Sequence, residues 1–121
     1  MKLQMEQAMQ YLMMLSNMPA ATGKVGYAIY RNISLLADAT KEFQKMRDDL
    51  INKYGDDGKI NEKSPNFGKF ITELTPLLEI ECEVSFFMID EDEMYSEALS
   101  SQDYFVLKEI LVKPKEVVAD G

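Results

Sequence analysis

Two basic and two aromatic residues lie close together in a part of the chain that has no acidic residue between Glu6 and Asp38. These four residues are Lys24, Tyr27, Tyr30 and Arg31. Lys24, Tyr27 and Arg31 have the spacing i, i+3 and i+7, so on a helix they lie in a row. Lysine and arginine bind phosphate groups, and a tyrosine ring stacks on a base or a sugar. The pattern predicts a site for an anionic, nucleotide-like ligand.

The predicted start of the same helix adds a second phosphate-binding feature. The first backbone N–H groups of a helix have no partner within it and bind anions, and Gly23 precedes Lys24 at that point. These two residues are not a nucleotide-binding P-loop, because the preceding strand and the first glycine of that motif are missing. The alternative interpretation is a solvated helix face whose tyrosines cover the first helix.

Acidic residues dominate the later part of the chain, where no basic residue lies between Lys69 and Lys108. The candidates for a partner-binding surface are Glu79, Glu81, Glu83, Asp90, Glu91, Asp92 and Glu93. Such a surface attracts a basic partner. An alternative for Glu79, Glu81 and Glu83 is the solvent-exposed face of a strand. An alternative for residues 90–93 is the first turn of a helix, where acidic side chains complement the helix dipole. A calcium-binding EF-hand is disfavoured, because Tyr95 and Ser101 occupy its sixth and twelfth positions.

The composition argues against catalysis. The chain contains no histidine and one cysteine, Cys82, which removes the usual general base near neutral pH, histidine-dependent zinc sites and an internal disulfide. We therefore expect a protein that is not an enzyme and uses no cofactor or metal. The formal net charge of -8 argues against nucleic acid or an anionic membrane as a direct partner. We find no pattern of a signal peptide or membrane helix and expect a cytoplasmic protein.

Hydrophobic periodicity places the basic and aromatic residues on a long second helix. It predicts a first helix at residues 3–15 and a second from residue 23 or 24 to residue 54, with an apolar stripe that continues to Met46 and Leu50. A continuous helix of roughly 29 residues is about 43 Å long, which is long for a small domain. We expect it either to project as an arm or to pack against the first helix and a copy of itself.

Shorter elements follow. Residues 56–60 predict a turn and the beginning of a short strand. Residues 67–74 have helical apolar spacing, and Pro76 is expected to end that helix. Residues 79–86 alternate polar and apolar, which predicts a strand with Ile80 on its apolar face. This strand must pair with the segment after the turn, with another short segment or with the same strand of a second subunit.

Together these elements predict one α+β domain at residues 1–112, mainly helical, with a long second helix and a small antiparallel sheet. The length of 121 residues, of which 46% are hydrophobic, suits a single core. A last helix follows the acidic stretch, and residues 113–121 are expected to form a flexible tail. We also expect a homo-oligomer, formed through the long helix or the strand edge.

The layout resembles that of small proteins encoded by phages and prophages of Gram-positive bacteria. The resemblance rests on the short first helix after residues 1–3, the long helix that ends at residues 50–55, the turn at residues 57–60, the acidic strand at residues 79–84 and the last amphipathic helix. It carries no catalytic motif. It implies stoichiometric binding inside a bacterial host cell, including counter-defence by occupying a host effector or sequestering its nucleotide signal.

Three functional hypotheses follow. The first is a phage-type, anti-defence binding protein that sequesters an anionic nucleotide-like ligand through Lys24, Tyr27, Tyr30 and Arg31. The second is an acidic inhibitor whose carboxylates imitate nucleic acid on a basic, nucleic-acid-binding host protein. The third is a structural or assembly component of the virion.

Overall fold

The computed structural model describes residues 1–18, 23–90, 92 and 101–111. Within them the order of elements is β1 (Lys2–Gln4), α1 (Met5–Ser16), α2 (Gly23–Ala39), α3 (Lys41–Tyr54), α4 (Phe67–Leu78), β2 (Glu81–Glu83) and α5 (Ser101–Leu111). The fold is α+β, mainly helical with a two-stranded antiparallel sheet, as the sequence predicts. Residues 113–121, the predicted tail, lie outside the described residues.

The core forms where α1 packs against α2 and where α5 and the segment after β2 close over them. Ala8 of α1 and Ala28 of α2 have no exposed surface, and such small side chains let two helix backbones approach closely. The buried cluster comprises Leu3, Ala8, Leu15, Val25, Ala28, Ile29, Leu36, Val84, Ile89, Leu107, Ile110 and Leu111. Apolar residues from both halves of the chain are therefore needed to complete it.

The predicted long second helix is divided at Thr40, so the prediction of one continuous helix is wrong. Thr40 has φ -104° and ψ 5° and is fully buried. Its hydroxyl donates to the Leu36 carbonyl at 2.7 Å and accepts from the Gln44 amide at 2.9 Å. A threonine that bonds back to the carbonyl four residues earlier bends a helix. The result is two helices of 17 and 14 residues in place of one arm.

The sheet pairs the start of the chain, which the sequence did not indicate as a strand, with the acidic strand, which is shorter than the sequence indicates. β2 contains three residues, and it runs antiparallel to β1 with Leu3 opposite Cys82. The first helix begins at Met5 and not at residue 3, because residues 2–4 are extended. Ile80, placed on the apolar face by its alternation, precedes β2 and is 50% exposed.

The turn after α3 is confirmed, but the strand expected to follow it is not. Asp57 has φ 53° and Gly58 has φ 72°, which is the pair of positive angles of a tight hairpin turn. Asp56 and Lys59 exchange two backbone hydrogen bonds, of 2.9 and 3.0 Å, across this turn. The pairing stops at this single bridge, so the segment after the turn does not pair with β2.

Helix α4 continues through Pro76, which was expected to end it. Proline costs a helix one hydrogen bond and a clash with the carbonyl four residues earlier. Pro76 lies in the final turn, and α4 ends at Leu78. The helix therefore continues for only two residues beyond Pro76.

A buried asparagine of α2 holds the extended segment that follows β2. Asn32 is fully buried. Its side-chain amide donates to the Phe87 carbonyl at 2.9 Å, and its side-chain oxygen accepts from the Phe87 N–H at 2.7 Å. The same amide donates to the Ala28 carbonyl at 2.6 Å. Two residues later the Ile89 N–H donates to the Leu111 carbonyl at 2.8 Å. The backbone of this segment is thus fixed by two hydrogen bonds with the Asn32 side chain of α2 and one with the Leu111 carbonyl of α5.

We predict that Asn32→Asp destabilises the fold by about 2 kcal/mol or more, because it removes both amide donations and places a carboxylate beside two carbonyl oxygens. The measurement is the free energy of unfolding in urea. Asn52→Asp, at an exposed position of α3, is the matched control and should change stability by less than about 0.5 kcal/mol. Equal effects of the two substitutions would contradict the structural role of Asn32.

Candidate functional site

The four predicted ligand-binding residues lie together on the exposed side of α2. The side chains of Lys24 and Arg31 are exposed, and Tyr27 and Tyr30 are 57% and 63% exposed. The opposite side of the helix is buried in the core through Val25, Ala28, Ile29 and Leu36. We call the exposed set of Lys24, Tyr27, Tyr30 and Arg31 the basic-aromatic face. Both tyrosine rings remain mostly in solvent, which agrees with the solvated helix face of the alternative interpretation and also leaves the rings accessible to a ligand.

Phe87 adds an aromatic ring to this face. Its ring centroid lies 5.0 Å from that of Tyr27, and the two planes meet at 76°, which is a favourable edge-to-face arrangement. The backbone of Phe87 is fixed by the buried Asn32. Tyr27 therefore packs against a ring whose backbone is fixed by a buried side chain.

Sequence reasoning missed Phe87, although one signal was present. Phe86 and Phe87 are consecutive, so the second ring breaks the alternation that places apolar residues on one side of the strand. In the structure Phe86 turns toward α1 and lies 6.4 Å from the Tyr11 ring, while Phe87 turns toward Tyr27. A large apolar residue out of phase with its strand can indicate a surface contact.

The chemistry of the basic-aromatic face is that of an open binding surface. Lys24 and Arg31 lie one turn on either side of Tyr27, so cationic groups flank an exposed ring. A stacked ring and phosphate oxygens can be bound at the same time by such an arrangement. Gly23 has φ 63°, which requires glycine where α2 begins. Residues 19–22, which precede it, lie outside the described residues.

The predicted acidic surface is spread over several elements. Glu81 and Glu83 lie on the exposed side of β2, as the alternation predicts. Glu79 is the C-cap residue of α4, so the three glutamates do not form one row on a strand. Asp90 and Asp92 are exposed. The other two predicted acidic residues, Glu91 and Glu93, lie outside the described residues.

Positive groups lie beside part of this acidic surface. Lys2 is directly opposite Glu83 in the sheet register, and the amino group of Met1 lies 3.4 Å from a Glu83 carboxylate oxygen. That amino group also donates to the Val84 carbonyl at 2.9 Å. Glu81, by contrast, is opposite the uncharged Gln4. The exposed side of the sheet is therefore not uniformly acidic.

Neither a metal-binding cluster nor a membrane-spanning helix is formed by the described residues. Among them, no group of three or more histidine, cysteine, aspartate or glutamate side chains is arranged to hold a metal ion. None of the helices that these residues form has the length and apolar character needed to cross a membrane.

The environment of Cys82 predicts a thiol that reacts slowly with alkylating reagents. Burial raises the pKa of the Cys82 thiol, and the neighbouring Glu83 carboxylate raises it further. Because the thiolate is the reactive form, we expect alkylation by iodoacetamide at pH 8 to be slower than that of free cysteine. The pH at which the rate is half-maximal should be higher than for free cysteine, which separates a pKa effect from restricted access. Unfolding in urea should restore the ordinary profile, and a midpoint below that of free cysteine would contradict the prediction.

Comparisons of this chain with protein-family models, with curated proteins and with solved structures found no match. The resemblance to phage and prophage proteins therefore stays a prediction from the layout of the sequence.

Proposed function

We propose that this protein is a non-catalytic binding protein that sequesters an anionic, nucleotide-like ligand on the basic-aromatic face of α2. One observation carries the proposal: the ring of Tyr27 is 57% exposed yet packs against the Phe87 ring in a T-shaped contact. An aromatic ring that is both exposed and fixed loses little freedom when a flat ligand stacks on it. The two flanking cations then supply the contacts to phosphate.

The dimensions of the face suit a ligand with more than one anionic group or with a base and a phosphate. Lys24 and Arg31 are separated by seven positions, which is about 10 Å along the helix axis. Tyr27 lies between them. A ring stacked on Tyr27 can therefore direct phosphate oxygens toward Lys24 on one side and Arg31 on the other. Tyr30, which is 63% exposed, offers a second ring on the same side of the helix.

Local charge matters more than net charge for such a ligand. The chain as a whole carries a formal charge of -8, which repels anions at long range. No acidic residue lies between Glu6 and Asp38. The first carboxylate of α2 is therefore that of Asp38, which follows the basic-aromatic face along the helix. Within about 8 Å, the screening length at physiological salt, local charges decide binding. We therefore expect affinity to fall with increasing salt.

The biological setting is part of the proposal and rests on the resemblance to phage proteins. A small protein that binds a nucleotide signal in the cytoplasm of a bacterial host would deprive a host effector of its activator. Such a role requires only tight stoichiometric binding, and it needs no catalytic group or cofactor.

The rival function is an acidic inhibitor of a basic host protein. The exposed carboxylates of Glu79, Glu81, Asp90 and Asp92 favour it. Lys2 and the Met1 amino group beside Glu83 weaken it, because they offset part of the charge that would imitate nucleic acid. If this rival is correct, Glu79→Lys combined with Glu81→Lys should abolish salt-dependent capture of a protein partner. Capture that is unaffected by this double reversal would exclude the rival.

For the proposed function, we predict that Lys24→Ala combined with Arg31→Ala weakens ligand binding by about 100-fold or more, since two charged contacts are lost. Tyr27→Leu should weaken it by about tenfold or more through loss of stacking, whereas Tyr27→Phe should bind normally. Native mass spectrometry after mixing with the small-molecule filtrate of a bacterial extract identifies the bound mass. Titration calorimetry with the identified compound then gives the affinities.

The matched control is Lys59→Ala combined with Lys63→Ala, which makes the same change in charge at exposed positions between α3 and α4. This control should bind as the unaltered protein does. Circular dichroism verifies that all variants are folded. The absence of any added mass, or equal affinity of the two double variants, would overturn the proposal.

A further inference from the structure

The hairpin of α3 and α4 carries apolar side chains that the described structure leaves partly uncovered. Phe43 is the one buried residue of α3, and Phe70 is the one buried residue of α4. Neither belongs to the main core cluster. Met46, which continues the apolar stripe of the sequence, is 49% exposed. A groove of about 310 Å³ lies beside it, lined by Met46, Asp49, Leu50, Lys53, Glu73 and Leu77.

The exposed residues beside this groove have a symmetric order along α3. Glu42, Met46, Asp49 and Lys53 are all exposed, and their spacing is four, three and four positions. Residues with this spacing lie on one side of a helix. The same spacing is obtained when the row is read in reverse, so two copies of it can align when the helices run in opposite directions. We call these four residues the α3 row.

We infer that the α3 row is the contact surface for a second copy of this chain, with the two α3 helices antiparallel about a two-fold axis. In that alignment Glu42 lies opposite the partner's Lys53 and Met46 lies opposite the partner's Asp49. The acid is at the amino end of the row and the base is at the carboxyl end, so the Glu42–Lys53 pairing occurs twice. Such self-complementarity is what a symmetric dimer requires of one surface.

Contacts within the chain hold Lys53 beside the groove. Its Nζ atom lies 3.9 Å from a Glu73 carboxylate oxygen and 5.0 Å from the centre of the Tyr54 ring. The side chain is still 61% exposed. The Tyr54 side chain and then the Glu73 carboxylate raise the pKa of Lys53 above its ordinary value. In the dimer the ammonium group lies between Glu73 and the partner's Glu42.

The axis passes midway between Met46 and Asp49, so the centre of the proposed interface contains both of these residues from each chain. Met46 and the partner's Met46 are three positions apart along the antiparallel helices, which is about 4.5 Å, and both lie near the axis. Leu50 and Leu77 line the groove next to them. Methionine adapts its shape to an irregular neighbour, so the two Met46 side chains can pack near the axis. The two Asp49 carboxylates repel each other there, so the affinity must come from the methionines and from the two Glu42–Lys53 pairs. This inference is independent of the ligand proposed for α2.

Zero-length carbodiimide cross-linking of the whole protein gives the first test. Within one chain Glu42 and Lys53 are about 16 Å apart along the helix, so a direct bond between them can form only between two chains. We expect a cross-linked dimer whose digest contains the Glu42–Lys53 peptide pair. The Lys53–Glu73 pair, 3.9 Å apart in one chain, is the internal control. A cross-linked monomer with the control pair but without Glu42–Lys53 would overturn the inference.

Sedimentation at several protein concentrations gives the second test. The unaltered protein should be a dimer, and Met46→Glu should raise the dimer dissociation constant by at least about tenfold, because it places two further charges near the axis. Met13→Glu is the matched control, since Met13 is 60% exposed on α1. Glu42→Lys should likewise weaken the dimer, while Glu62→Lys makes the same charge change in a loop and should not.

Two outcomes of sedimentation would overturn the inference. One is a protein that is monomeric at every concentration, which would leave the α3 row for a different protein. The other is a dimer that Met46→Glu and Glu42→Lys weaken no more than their controls do, which would place the dimer contact elsewhere. Circular dichroism of each variant separates loss of the dimer from loss of folding.

Discussion

The side-chain amide of Asn32 is paired with the backbone of Phe87 through one donated and one accepted hydrogen bond. An amide side chain carries the same donor and acceptor as a peptide group, so Asn32 takes the place of a neighbouring strand. Because the residue is fully buried, water cannot replace either bond without cost. The pairing determines where residues 84–89 cross α2, and therefore where Val84 and Ile89 enter the core.

The same pairing connects the core to the surface. Phe87 has its backbone in the buried hydrogen bonds and its ring against Tyr27. A change in the segment after β2 would therefore move a ring on the basic-aromatic face. The α3–α4 hairpin is organised differently, since its own buried residues are Phe43 and Phe70. The basic-aromatic face is thus supported by the main core. The α3 row belongs to a hairpin that contributes little to that core.

Local features were predictable from the sequence because they depend on spacing over a few residues. The exposed row on α2, the turn at Asp57 and Gly58 and the alternation of β2 are of this kind. The break at Thr40 depends on a hydroxyl that bonds to Leu36 once it is buried, and the apolar stripe gives no sign of it. The strand β1 and the contact of Phe87 with Tyr27 arise from distant pairing, which the periodicity of one segment cannot reveal.

The sheet joins parts of the chain that are made at very different times. Met1 and Glu83 are 82 positions apart, so at 5 to 20 residues per second the first strand is synthesised roughly 4 to 16 seconds before its partner. Neighbouring helices such as α1 and α2 can pair during that interval, since contacts close in sequence form first. Asn32 must wait for Phe87, which follows it by 55 positions. On a translating ribosome the core therefore stays open for seconds, until the segment after β2 and then α5 have been synthesised.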